Sequence, residues 1–245
     1  MPRRLRFRPS LIPSLAVLAL LPVLLSLGFW QLDRAEQKRA LLARLEAGKV
    51  MPPLSLNEQR PDFESVRYRR ALAVGRYDEA HQILVENQVR DGRVGVEVLT
   101  PLRLDGREEA ILVARGWVPA EPTGALGADI SAPTDPREVH GVIDSGPSVG
   151  LRLGAAAASD DWPRRVAYLD YQDLERALPY PIRPYLIRLD PAAPDGFRRD
   201  WRPVAEMGPE RHLGYAVQWF ALAATLVALY LTVNIKRVET TDERP

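Results

Sequence analysis

His212, Tyr215 and Trp219 are spaced three and four residues apart, which at helical periodicity puts them on one narrow face with Gln218 on its flank. An imidazole can bind a metal or a haem iron through a neutral nitrogen, and the two aromatic rings one and two turns on offer flat surfaces beside a porphyrin. A second set, Trp30, Gln31, Arg34 and Lys38, falls on one side of another helical stretch. Its cations suit propionates, with which arginine forms paired, charge-assisted hydrogen bonds. The same residues also describe an aromatic belt with basic anchors, which membrane-spanning helices carry at their ends as a matter of course. Residue chemistry alone leaves both readings open.

Each set sits at the end of an apolar run. Leu213 to Val233 is 21 residues without a charge, enough to cross roughly 30 Å of hydrocarbon as a helix. Leu11 to Leu32 is 22 residues without a charge, containing Pro13 and Pro22. Its length, the central Pro22 and the exit Gly28-Phe-Trp-Gln argue for an uncleaved span rather than a secretory signal. Arg3, Arg4, Arg6 and Arg8 before the first run, and Lys236-Arg237 after the second, favour the cytoplasmic side. The expected organisation is a cytoplasmic tail over 1–10, transmembrane helices over 11–32 and 213–233, an extracytoplasmic domain over 33–211 and a cytoplasmic tail over 234–245. Arginine outnumbers lysine by 30 to 3, which hints at a GC-rich bacterial genome, so the expectation is a bacterial inner membrane protein with a periplasmic domain. Ten residues before the first span are too few for a mitochondrial transit peptide, so mitochondrial residence is disfavoured.

The intervening residues 33–211 carry 26 basic and 29 acidic side chains, so no basic domain argues for nucleic acid. There are no cysteines, which excludes disulfides, thiolate metal sites and c-type haem attachment. Residues 33–49 lack proline and β-branched side chains and should extend the first helix until Met51-Pro-Pro breaks it. Residues 50–65 read as irregular. Strand-like runs follow at 68–77, 82–89, 94–104 and 109–118, with Asp91-Gly92 and Asp105-Gly106 as tight turns between them. Further strands are expected at 137–145, 166–169 and 182–189, and a helix capped by Asp170 through Leu178. Loops are expected at 119–136 and 146–161. The fold class is therefore two transmembrane α-helices flanking a mainly antiparallel β (α+β) extracytoplasmic domain.

Enzyme signatures are missing: there is no dinucleotide or phosphate loop and no nucleophile elbow. The chain is expected not to be an enzyme. His81 reads as a surface turn, His140 as packing or a solvated face, and the Arg69-Arg70, Arg164-Arg165 and Arg198-Arg199 pairs as solvated or carboxylate-paired. Glu108-Glu109 and Asp160-Asp161 are too generic for an acid–base assignment.

Gly28-Phe-Trp-Gln-Leu-Asp-Arg34-Ala-Glu-Gln-Lys38, Gly92-Arg-Val-Gly95 with Leu99-Thr-Pro-Leu102, Leu112-Val-Ala-Arg-Gly-Trp-Val-Pro119 and His212-Leu-Gly-Tyr-Ala-Val-Gln-Trp-Phe220 together resemble the Surfeit locus protein 1 family. The likeness runs in order from about residue 8 to 237. One departure is Pro209-Glu-Arg before His212, where the family has an Asn-rich approach. The resemblance implies an assembly factor, or chaperone, for haem-copper cytochrome c oxidase in the respiratory chain. Its partners would be oxidase subunit 1, other oxidase assembly factors and the lipid bilayer. It also implies transient binding of haem a, with His212 as axial ligand to the haem iron and as the sole metal-binding residue. Tyr215, Trp219, Trp30, Gln31 and Arg34 would line that site. The two central motifs read as turn glycines and core strands, Gly92 permitting a hairpin and Trp117 filling the core. The alternative is a cofactor-free scaffold that binds oxidase subunits through its periplasmic domain.

Overall fold

In a computed structural model, residues 4–121, 125–147, 161–201 and 208–238 are described, and they form two compact units. One comprises residues 1–43 with 203–245, the other residues 44–202.

The first unit is a pair of antiparallel helices. Helix α1 spans Leu11–Val50. It passes through Pro22 without ending, although the ring removes one backbone hydrogen bond. The helix then continues beyond the apolar run, as its proline-free composition predicts. The last helix, α4, spans Pro209–Asn234 and starts on Gly208 with Pro209 in its first turn, where a missing N–H costs nothing. Both are long and apolar enough to cross a membrane. Leu15, Leu18, Val23 and Phe29 on α1, and Val217, Leu222, Leu229 and Val233 on α4, are exposed. So much outward-facing apolar surface does not suit water.

The less exposed positions form a seam. On α1 they include Ser14, Val17, Leu21, Leu24, Gly28 and Gln31, and on α4 His212, Ala216, Trp219, Ala223, Leu226 and Tyr230. Steps of three and four alternate on both helices, the spacing of left-handed, coiled-coil-like packing. Contacts run along its length, with Ser14 Oγ 2.9 Å from Tyr230 OH at one end and Gln31 against His212 at the other. The basic tail expected before the first span instead forms strand β1 (Arg4–Phe7), paired antiparallel with β10 (Ile235–Val238) just after the second.

In the second unit the β-strands are β2 (Leu54–Ser55), β3 (Arg70–Tyr77), β4 (Ile83–Arg90), β5 (Arg93–Leu104), β6 (Ala110–Pro119), β7 (Arg137–Asp144), β8 (Arg164–Val166) and β9 (Ile182–Leu189). Two short helices join them, α2 (Phe63–Val66) and α3 (Tyr171–Ala177). The sheet order is β2-β3-β7-β9-β6-β5-β4-β8, and β3 also pairs with β5. That extra pairing closes β3, β7, β9, β6 and β5 into a five-stranded ring. Its interior packs Ala73, Leu102, Ile111, Val113, Val139, Ile143 and Ile187. A second apolar cluster, with Ile83, Leu99, Leu112 and Leu186, lies under α3.

The β4–β5 and β5–β6 hairpins occur at the expected turns. Asp91 (φ 48°) and Gly92 (φ 75°) both adopt the left-handed conformation that a tight two-residue hairpin needs. Helix α3 is capped as expected, the Asp170 carboxylate accepting from the N–H groups of Gln172 and Asp173. Two expectations need correction. Residues 50–65 are not wholly irregular, because β2 adds in parallel to β3 and Asp62 caps α2. The strand expected at 166–169 lies earlier, at 164–166, where it pairs in parallel with Ile83–Val85 of β4. The sheet is mainly antiparallel, yet β9 runs parallel to β6, a neighbour the local pattern did not disclose. The 146–161 loop lies largely outside the described residues.

Candidate functional site at the mouth of the helix pair

The local chemistry of α4 begins in its first turn. His212 is half-buried, and its Nδ1 stands 2.8 Å from Oε1 of Gln31 on α1. With the amide oxygen facing the ring, Nδ1–H is the donor, and in the neutral ring Nε2 then keeps its lone pair. The bond spans 181 residues of sequence and joins two of the residues singled out from sequence.

The remaining candidates are divided by exposure. Trp219 is half-buried in the helix seam, whereas Tyr215 is exposed. Trp30 is exposed, and the Arg34 guanidinium lies 5.5 Å from the centroid of its ring. Arg34 also donates to Gln37 Oε1 at 2.8 Å, and Gln37 in turn donates to Asp33. The Arg34 head is thus exposed, with a neutral amide and an indole face beside it. Gln31 and Trp30, adjacent in sequence, diverge: the amide turns to His212 and the indole outward.

Sequence reasoning passed over Phe220 and the purpose of Gly28. The Phe220 ring lies over Gly28 so closely that a β-carbon there would stand 2.6 Å from Cε1. Phe29 meets the same ring edge-to-face, with centroids 5.3 Å apart. The glycine of the Gly28-Phe-Trp-Gln stretch is therefore a packing requirement that lets α4 approach α1 beside the histidine.

These groups fit one axial position of a haem. The candidate donor is an imidazole oriented through its other nitrogen, the arrangement in which metal-binding histidines are normally held. Arg34 can meet a propionate, and Trp30 and Tyr215 present exposed rings. A bare metal ion fits less well, since among the described residues no three His, Asp or Glu side chains gather.

In the second unit the central motifs are structural. Arg115 is buried and donates to the carbonyls of Asp195 (2.7 Å), Ile130 (2.9 Å) and Ser131 (2.8 Å). Gly116 has φ 126°, and Trp117 donates to the Gln88 carbonyl at 2.7 Å. Arg164 pairs with Asp173, Arg165 with Glu86, and Arg198 with Asp91 and Asp200, the second of the two environments, solvated or carboxylate-paired, expected for them. Glu109 is the partner of Arg183, a fully buried arginine that also donates to the Leu56 carbonyl. His140 is half-buried, its side chain 44% exposed, and bonded to Glu138 on a solvated face.

His81 corrects its expectation as a plain surface turn. It is half-buried, its Nδ1 2.8 Å from Asp78 Oδ2, and that oxygen also accepts from Tyr180 OH at 2.7 Å. Trp162 packs edge-to-face on the imidazole. Burial alone would raise the Asp78 carboxyl, but hydrogen bonds from Tyr180 and His81 outweigh it and hold it below the usual range. The same bond and its burial push the Tyr180 hydroxyl up. The adjoining cleft, about 530 Å³, is lined by Arg76, Arg103 and Arg107 but also by Asp78, Glu79 and Asp105. Its charges cancel, so it selects no ligand of one sign.

Comparison with known proteins agrees with the family resemblance. The SURF1 family profile matches residues 18–224. A SURF1-like protein of Monosiga brevicollis is 27% identical, with 90% of this chain and 87% of the relative covered. A SURF1-like protein of Rickettsia felis is 26% identical over 89% of this chain and 95% of its own length. The cytochrome oxidase assembly protein SHY1 of Saccharomyces cerevisiae is 28% identical over 46% of this chain and 30% of the relative. With a single profile running from within the first long helix, through the β domain, into the last helix, the chain belongs to the SURF1 family.

Proposed function

We propose that the protein is a membrane-anchored, non-enzymatic assembly factor for haem-copper cytochrome c oxidase, and that it holds haem a for transfer to oxidase subunit 1. The oxidase role is carried over from the yeast relative, which is named as a cytochrome oxidase assembly protein. The haem role rests on one observation: His212 presents Nε2 while its Nδ1 is bonded to Gln31 at the end of an apolar helix pair. Bound haem would supply an iron centre for that nitrogen. Around it, Arg34 would meet a propionate, and Trp30 and Tyr215 would offer their exposed rings, while Trp219 packs in the seam behind them. Half-exposure of the site suits a ligand that must be handed on. The basic segments beside both spans favour a bacterial inner membrane with both termini cytoplasmic and the β domain periplasmic.

The test is the visible absorption spectrum of detergent-purified protein from cells making haem A, wild type beside His212→Ala. Soret and α bands lost in a folded, inserted His212→Ala protein support the assignment. A colourless wild type, or an unchanged mutant spectrum, removes it and leaves a scaffold that recruits oxidase subunits through the β domain.

A further inference from the structure

We infer that Gln31 is a positioning residue for His212: it selects the ring tautomer and thereby which nitrogen is offered to a ligand. Its role as a metal-site partner rests on the haem reading above, but the tautomer assignment does not.

The geometry carries the argument. The two side chains face each other across the seam between α1 and α4, with Oε1 of Gln31 2.8 Å from Nδ1 of His212. An amide oxygen only accepts, so the ring must carry its proton on Nδ1. Free in water a neutral histidine exchanges between two tautomers; here one is held. The released lone pair is then on Nε2, the nitrogen remote from α1. Both residues are rooted beside packed positions of the seam. Gln31 lies three residues beyond Gly28, where the Phe220 ring locks the helices together, and Ala216, four residues beyond His212, is 1% exposed. The neighbouring Trp30 and Arg34 turn away to each other, so they do not compete for the imidazole. Among the described groups only Gln31 is bonded to this ring.

A neutral amide is a specific choice. A carboxylate at the same place would pull harder on the Nδ1 proton and strengthen Nε2 as a donor, whereas an apolar side chain would leave the tautomer free. The amide gives orientation with little added basicity, which suits a ligand that must later leave.

The experiment is nitrogen NMR on the full chain in detergent, with ¹⁵N-labelled histidine and no haem present, His212 being assigned by its loss in His212→Ala. In the wild type Nδ1 should carry the proton; in Gln31→Leu the Nε2–H tautomer should become the major form, and Gln31→Glu should restore the Nδ1–H form. A wild-type ring protonated on Nε2, or a tautomer ratio that Gln31→Leu does not move, overturns the proposal. Visible titration with haem then reads the consequence separately. Gln31→Leu should weaken binding on the order of 10- to 100-fold, as loss of an outer partner does at other metal sites. If wild type binds no haem while the tautomer responds as stated, the haem reading fails and the positioning role stands. Should haem bind yet affinity be equal in Gln31→Leu, the consequence for ligand binding is overturned.

Discussion

The Trp117 indole lies directly on Gly95: a β-carbon at that glycine would stand 2.5 Å from Cε2 of the ring and 2.3 Å from the Val118 carbonyl oxygen. Two sequence motifs that are 22 residues apart are therefore one packing unit, with β5 and β6 paired at Gly95 and Pro119. Gly95→Ala should lower stability by about 1–3 kcal/mol, the usual cost of overpacking. In a thermal melt of the purified protein that means a midpoint several degrees lower. Gly92→Ala, where no atom lies within 4 Å and only the positive φ is lost, should cost about 1 kcal/mol. Equal effects at the two positions would show that the indole does not enforce the glycine.

In the helix pair the corresponding constraint is Gly28 beneath Phe220. Gly28→Ala should weaken the pair, and Phe220→Leu in the same chain should recover part of the loss. A double-mutant cycle on thermal midpoints in detergent reads this as a coupling well above the few tenths of a kcal/mol expected of independent sites. Additive effects would contradict the contact.

The buried Arg183 depends on Glu109, whose Oε1 accepts from both Nε and Nη2 at 3.1 and 2.7 Å. Glu109→Ala would strand a guanidinium that has no exposure to solvent. The expected cost is about 3–5 kcal/mol by chemical denaturation, whereas Arg183→Met leaves the Glu109 carboxylate with a second partner, Arg60 at 3.2 Å, and should cost less. The reverse ranking would place the pair's importance elsewhere.

Two carboxylates should tilt the pH profile in opposite senses. Asp78 has its folded pKa held down by Tyr180 and His81. Its contribution is full above the unfolded value, about 3.9, and is lost as pH falls through the folded one. Asp78→Asn should flatten the acid side of a plot of melting temperature against pH. Glu97 is 2% exposed, and burial raises its pKa despite Arg188 and Arg90 nearby. Its stabilisation is present below the unfolded value and fades as pH rises through the folded one. Glu97→Gln should therefore raise the melting temperature at neutral pH, and a fall there would refute the burial argument.

Much of the architecture was legible locally. The left-handed Asp91-Gly92 turn, the Asp170 cap, the hydrophobic alternation of β3 and the two apolar runs follow from backbone preference and side-chain periodicity within ten or twenty residues. The chemistry-bearing residues at the helix mouth were also visible, because imidazole, indole and guanidinium beside a membrane-length run are distinctive. Which of them meet was not. Helical spacing put Trp30, Gln31 and Arg34 on one side of α1, but only the approach of α4 separated the amide that holds His212 from the indole and guanidinium that turn outward. The insertion of β9 between β6 and β7, the β3–β5 closure and the burial of Arg183 were equally silent. Each depends on segments brought together across tens of residues, where the outcome is set by burial and pairing among distant elements. Local periodicity determines the elements and the faces they offer; tertiary packing alone decides which faces touch.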